Sequence, residues 1–227
     1  DQITNANARF KPAGSPIAAH RKADFSPRIQ ETENLTIYGN VGNVSIDVNG
    51  GSSAKDIAAS ITSRLSETGV SATAHTRMNV SFEEEPNGTQ KTDTVSFNVY
   101  GKNSAPVLIS ANVDFGETNG RGADLTDLAA AINGTTGKTG IAASLSVDKS
   151  TMTMISNDGY DIVTEDYRLV GVTGPAMLVS GANEDNTSLT GTNSANVLFD
   201  PLTLEPGTDT STNPNSVHVS GQVTFRS

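Results

Sequence analysis

Ala54-Lys55-Asp56-Ile57-Ala58-Ala59-Ser60-Ile61, followed after a short gap by Gly69-Val70-Ser71-Ala72, returns seventy-one positions later. The second copy reads Leu125-Thr126-Asp127-Leu128-Ala129-Ala130-Ala131-Ile132 and then Gly140-Ile141-Ala142-Ala143. The Asp, the apolar positions, the Ala pair and the Gly fall in register. An internal repeat constrains architecture more than a single motif does, because each copy has to be a unit of packing. It points to a building block of a surface assembly rather than to a catalytic site.

Working outward, Ile57, Ile61 and Leu65 lie four apart with Ala58 beside them. That spacing gives a helix from Ser53 to Leu65 one apolar face. Ser53 with Asp56 three residues on forms a capping-box arrangement, and Gly69 ends the segment. Upstream, Leu35–Tyr38 and Val44–Val48 alternate apolar and polar around Gly39-Asn40-Val41-Gly42-Asn43, a hairpin. Downstream, Val70–Ala74 starts a strand. The second copy repeats the order: Val95–Tyr100, a turn at Gly101-Lys102-Asn103, then Val107–Ala111. Asp124 caps a helix from Leu125 to about Asn133, with Leu125, Leu128, Ala129 and Ile132 facing inward. Ile141–Val147 and Met152–Ser156 form a hairpin across Asp148-Lys149-Ser150, and Asn157-Asp158-Gly159 turns the chain into Tyr160–Val163. Tyr38-Gly39 and Tyr100-Gly101 hold equivalent places before their turns.

The expected fold is α+β: mainly antiparallel β-sheets with short helices, built from two β-β-α-β-β repeat units. Residues 35–94 and 95–170 are the two units. Residues 1–34, with Pro12, Pro16 and Pro27, read as an extended or loop segment packing with the C-terminal part. Residues 171–227 read as a loop-rich β segment returning to the base. Its end, Val217–Phe225, reads as one period-2 strand.

Composition narrows the function. Only 35% of the residues are hydrophobic and 5% aromatic, with no Trp, so cores are small and loops are many. The net charge is −10, and the 15 basic residues are scattered, which leaves no footprint for nucleic acid. There is no cysteine, hence no disulfide, thiolate metal site or cysteine nucleophile. No apolar run approaches the roughly 18 residues of a membrane span, so no membrane partner is expected. Asp1-Gln2-Ile3-Thr4 does not open a signal peptide. The abrupt start and stop suggest a piece of a longer chain.

The β-β-α-β-β unit resembles the flagellin hook IN motif of the variable outer region of bacterial flagellins and of some hook-associated proteins. The matching residues are Ala130-Ala131-Ile132-Asn133, Thr139-Gly140-Ile141 and Ser156-Asn157-Asp158-Gly159-Tyr160-Asp161-Ile162. The closing Ser220–Ser227 is similar to the strand leading back into a flagellin core. The resemblance covers roughly residues 35–165. The first copy departs from it, with Thr62 where the pattern has Asn and a helix running on to Leu65, so the second copy is the closer match. The resemblance implies a structural protein, not an enzyme: the surface-exposed outer domain of flagellin, in the extracellular flagellum, supporting motility. It implies other flagellin subunits as partners through regions outside this chain, possible glycan modification on Ser/Thr, and a fragment monomeric in solution. Alternatives are a hook-associated or filament-cap protein, and a carbohydrate-binding or adhesive module. The last is disfavoured by the scarcity of aromatic stacking faces: Tyr38, Tyr100, Tyr160 and Tyr167 are the only tyrosines.

No residue is assigned a catalytic, cofactor-binding or metal-binding role, and no cofactor is expected. His20, His75 and His218 are dispersed and read as exposed or locally bonded histidines rather than metal ligands. Asp56 and Asp127 read as first-turn carboxylates that favour the helix dipole. Glu83-Glu84-Glu85 and Asn183-Glu184-Asp185-Asn186 lack the alternating spacing of a Ca²⁺ loop. Gly116–Gly122 lacks the Gly-Lys-Ser/Thr ending of a phosphate loop, and no Gly-x-Ser-x-Gly occurs. Asn34, Asn79 and Asn133 open N-glycosylation acceptor triplets, as chance allows in so Asn- and Thr-rich a chain.

Overall fold

A computed structural model describes residues 15–17, 32–82, 92–115, 122–169, 177–182, 197–199 and 216–227. In chain order its elements are β1 (Ser15–Ile17), β2 (Glu33–Tyr38), β3 (Asn43–Val48), α1 (Ala54–Thr62), α2 (Leu65–Thr68) and β4 (Ser71–Phe82). Then come β5 (Thr92–Tyr100), β6 (Val107–Asp114), α3 (Thr126–Gly134), α4 (Thr136–Thr139), β7 (Ala142–Leu145), β8 (Met152–Ser156) and β9 (Ile162–Leu169). The last are β10 (Met177–Gly181), β11 (Val197–Phe199), β12 (Ser216–Val219) and β13 (Gln222–Arg226).

Every described strand pairing is antiparallel. One sheet runs β1-β12-β9-β5-β6, and a second runs β11-β10-β4-β8-β7 with β13 also on β4. The hairpin β2-β3 is a sheet of its own. With four short helices among the described residues, the fold is α+β.

Burial is divided between two cores. The larger takes Met78, Val80 and Phe82 from β4, Val95, Phe97 and Val99 from β5, Leu125, Leu128 and Ile132 at α3, and Met152 and Met154 from β8. The smaller holds Ile37, Ile46 and Val48 of the first hairpin against Ile57 and Ile61 of α1 and Val70, with Val223 and Phe225 of β13 packed on it. The twelve-residue β4 joins them: Ser71–His75 pair with β13 beside the small core, and Thr76–Phe82 pair with β8 and β10 in the large one.

The structure departs from the sequence reading in several places. The first helix does not run on to Leu65: α1 stops at Thr62, and α2 begins at Leu65. The Ser63 hydroxyl donates to the Ser60 carbonyl at 2.7 Å, competing with helix continuation, and Leu65 is 45% exposed rather than part of the stripe. Val217–Phe225 is two strands in two sheets, broken at Gly221. There a Cβ would lie 2.5 Å from Thr76 Oγ1 and 2.8 Å from Ala54 Cβ, so the chain passes too close for a side chain. Finally, the strand laid beside the first half of β4 is β13, from the far end of the chain, whereas the second unit's β7 pairs with the next strand, β8. The connectors also differ: residues 49–53 join β3 to α1, and 115–125 join β6 to α3.

Candidate functional site: two matched helix-to-strand joints

The repeat converges on the joint where each short helix turns back into its sheet. Thr68 and Thr139 are both fully buried. Thr68 Oγ1 donates to the Arg64 carbonyl at 3.0 Å and accepts from the Val70 N–H at 3.1 Å. Thr139 Oγ1 donates to Thr135 at 3.1 Å and accepts from Ile141 at 3.2 Å. One hydroxyl thus ties the cap carbonyl of a one-turn helix, which also accepts two backbone amides, to the buried amide just ahead of the strand. The glycines between them, Gly69 at φ 75° and Gly140 at φ 70°, take the left-handed conformation that ends a helix.

The carbonyls of the same threonines seat the hairpins. Thr68 O accepts from the Val41 N–H at 3.3 Å, and Thr139 O from the Lys102 N–H at 2.9 Å. A Cβ on Gly39 would fall 1.8 Å from Thr68 O, and one on Gly101 2.2 Å from Thr139 O. The Gly after each Tyr is therefore dictated by contact of the hairpin turn with the helix end. A third matched position is the residue after the helix isoleucine. Asn133 Nδ2 donates to the Ala143 carbonyl at 3.0 Å, and its Oδ1 accepts from the Ala143 N–H at 2.8 Å. Thr62 makes the same pair of bonds to Ala72 with one hydroxyl, donating at 3.0 Å and accepting at 2.9 Å. The residue that sets the first copy apart thus keeps the function of its counterpart.

The start of α1 is as expected, whereas α3 starts one residue later than expected and Asp124 is not its cap. Ser53 and Asp56 form a full capping box on α1. At α3 the Asp124 carboxylate accepts from the Thr126 N–H at 2.9 Å and from its hydroxyl, while Leu125 occupies the cap position. The Thr126 hydroxyl is the main cause of an Asp124 carboxyl held below the usual range, helped by the Thr126 amide and by Lys149 at 3.4 Å. Asp127 lies in the first turn of α3.

The remaining candidate residues are scattered. His218 Nε2 meets Asp161 at 2.8 Å, on β12, and His75 lies in β4; His20 is outside the described residues. No group of metal-ligating side chains gathers among the described residues. Glu83–Glu85, Asn183–Asn186 and 116–121 also fall outside them. The acceptor-triplet asparagines are engaged: Asn34 donates to Asp47 at 2.9 Å, Asn79 accepts from Thr153 at 2.8 Å, and Asn133 ties down its strand. The two repeat tyrosines have diverged. Tyr38 is 72% exposed, and Tyr100 is buried with its hydroxyl donating to the buried Glu165 at 2.6 Å. Sequence spacing does not single out Glu165 as that partner. It is the diagonal neighbour of Tyr100: Asn98 faces Glu165 and Tyr100 faces Val163, next to the bulge that β9 makes opposite Phe97 with Asp166 at φ 57°.

No curated protein matches the chain. The family model of the flagellin hook IN motif matches residues 34–81, which run from β2 to nearly the end of β4. That is the copy read from sequence as the more divergent one, and the shared bonding of Thr62 and Asn133 explains why its departure is slight. The chain thus carries a flagellin hook IN motif over residues 34–81 and is flagellin-related through it.

Proposed function

We propose that this chain is the surface-exposed outer domain of a bacterial flagellin, located on the extracellular filament. There it supports motility by shaping the filament surface and contacting neighbouring subunits. In this reading residues 35–94 and 95–170 are two IN-like units, and 1–34 and 171–227 lead to and from the base. Assembly with other subunits runs mainly through regions outside this chain, the isolated fragment is monomeric at ordinary concentrations, and exposed Ser and Thr are open to glycan attachment. The observation that carries the reading is the IN-motif match on a unit whose joint chemistry is repeated in the second copy. The polar effort of the repeat goes into holding a helix end, a hairpin and a strand together, as a packing unit requires.

Immuno-electron microscopy with an antibody against residues 35–170 tests this. Label along the whole filament is the expected result. Label confined to the hook junction or the tip would move the assignment to a hook-associated or cap protein. Label on the cell body alone would overturn the flagellar reading in favour of an adhesive module, which a glycan-array signal lost on Tyr38→Ala would then establish.

A further inference from the structure

The first unit is one strand short of the second. In the second, β5 is hydrogen-bonded on both edges, to β6 and to β9. In the first, the equivalent β2 is bonded only to β3 among the described residues. The outer strands β3 and β6 are both terminal in their sheets, so the two hairpins differ at this edge. The chain order explains it: the second unit continues through β8 into β9, while the first passes from β4 straight into β5.

This edge, Glu33-Asn34-Leu35-Thr36-Ile37-Tyr38, is unpaired among the described residues, and its own sequence lacks the usual protection against strand addition. It carries a single charge, no Lys and no Pro, and its register with β3 is continuous, without a bulge. Its main-chain groups are set for pairing. The Gly39 N–H bonds the Gly42 carbonyl at 2.9 Å across the turn. Alternation along an antiparallel ladder then turns the amides and carbonyls of Asn34, Thr36 and Tyr38 to the open side.

We propose that β2 pairs antiparallel with β2 of a second copy of this chain, about a two-fold axis through Thr36. In this register Thr36 faces the partner's Thr36, Ile37 faces the partner's Leu35, and Tyr38 faces the partner's Asn34. The contact satisfies all the outward groups of both strands with about six main-chain hydrogen bonds. It joins two apolar faces, sets threonine beside threonine, a favourable cross-strand pair, and leaves Glu33 beyond the paired segment. Sliding by two residues in one direction sets Glu33 against the partner's Ile37, and in the other it abandons hydrogen bonds. The arrangement is isologous and therefore closes at two copies.

A six-residue edge buries far less than the roughly 1,200 Å² of a stable interface. The pairing is therefore weak between free molecules and becomes effective when copies are held at millimolar local concentration. It needs no filament: it is a property of the chain, so its failure leaves the flagellar reading untouched.

The chain has no cysteine, so Thr36→Cys introduces a single thiol. Facing residues in such a pair have Cα atoms about 5.5 Å apart, within disulfide reach. At about 0.5 mM under mild oxidation, Thr36→Cys is expected to form a disulfide dimer at least tenfold faster than Ser45→Cys, its neighbour on β3. Adding Asn34→Pro, which removes an outward amide and leaves the β3 ladder intact, is expected to abolish that excess. Salt is expected to favour the dimer, since each copy carries −10. Equal rates for the two thiols, or a dimer indifferent to the proline, overturn the proposal. So does a monomer whose β2 amides resist hydrogen exchange, which would mean that another part of the same chain covers the edge.

Discussion

Thr62 and Asn133 solve one problem with different groups: each places a donor and an acceptor against the backbone N–H and C=O of a single residue, the second of the next strand. Thr62→Val keeps the shape and removes both bonds. It is expected to lower stability by about 1 kcal/mol, since the site is exposed and water replaces part of the loss. Thr62→Asn should stay within about 0.5 kcal/mol of the parent, and urea denaturation of the two variants separates these outcomes. Asp124 offers a second test. Its carboxyl is held low in the folded chain, chiefly by the Thr126 hydroxyl. A folded value below the unfolded one gives stability that is present above the ordinary carboxylate range, about pH 4, and is lost as pH falls through the lowered value. Thr126→Val should therefore bring the Asp124 titration, followed by carbon-detected NMR, up toward that ordinary range. An unmoved titration would mean that Lys149 and the backbone amide suffice.

The short helices and most strands were legible at the level of elements, because their periods are local: β2 and β3 alternate, and α1 carries a four-residue stripe up to Ile61. What misled was continuity of pattern. Leu65 continues the spacing of Ile57 and Ile61 but sits past a break made by Ser63. Val217–Phe225 alternates without interruption, and nothing in a period of two marks where the backbone must pass Thr76 and Ala54. That passage is testable. Gly221→Val would thrust atoms into Thr76 Oγ1 and Ala54 Cβ at a point anchored on both sides by β12 and β13. It is expected to cost about 2–4 kcal/mol, read as a clear drop in Tm, and an unchanged Tm would show that the strands can part there. The joint itself was half legible. The Gly and the Asn were visible as pattern, but the roles of Thr68 and Thr139 depend on a contact between a hairpin and a helix end that sequence spacing does not encode.

For the molecule as a whole, the unequal cores set an order of opening. The small core has few buried side chains around Ile57 and Ile61, and the large one draws on both major sheets. Local opening follows local burial, so amides of α1 and β3 should exchange before those of β5 and β9, with β4 divided near Thr76. Ile61→Ala, costing about 2–5 kcal/mol at a fully buried site, should speed exchange in Ser71–His75 and spare Met78–Phe82. Uniform acceleration along β4 would instead mean that the two cores melt together. The connectors have a practical consequence. The same joint is built whether its hairpin strand reaches the helix through residues 49–53 or through 115–125, so the unit tolerates extra chain at that point. Loop closure grows more costly only slowly with length. A foreign peptide of about ten residues spliced between Gly50 and Gly51 should then be carried for roughly 1 kcal/mol or less, with circular dichroism unchanged. That makes the first unit a scaffold for displaying epitopes.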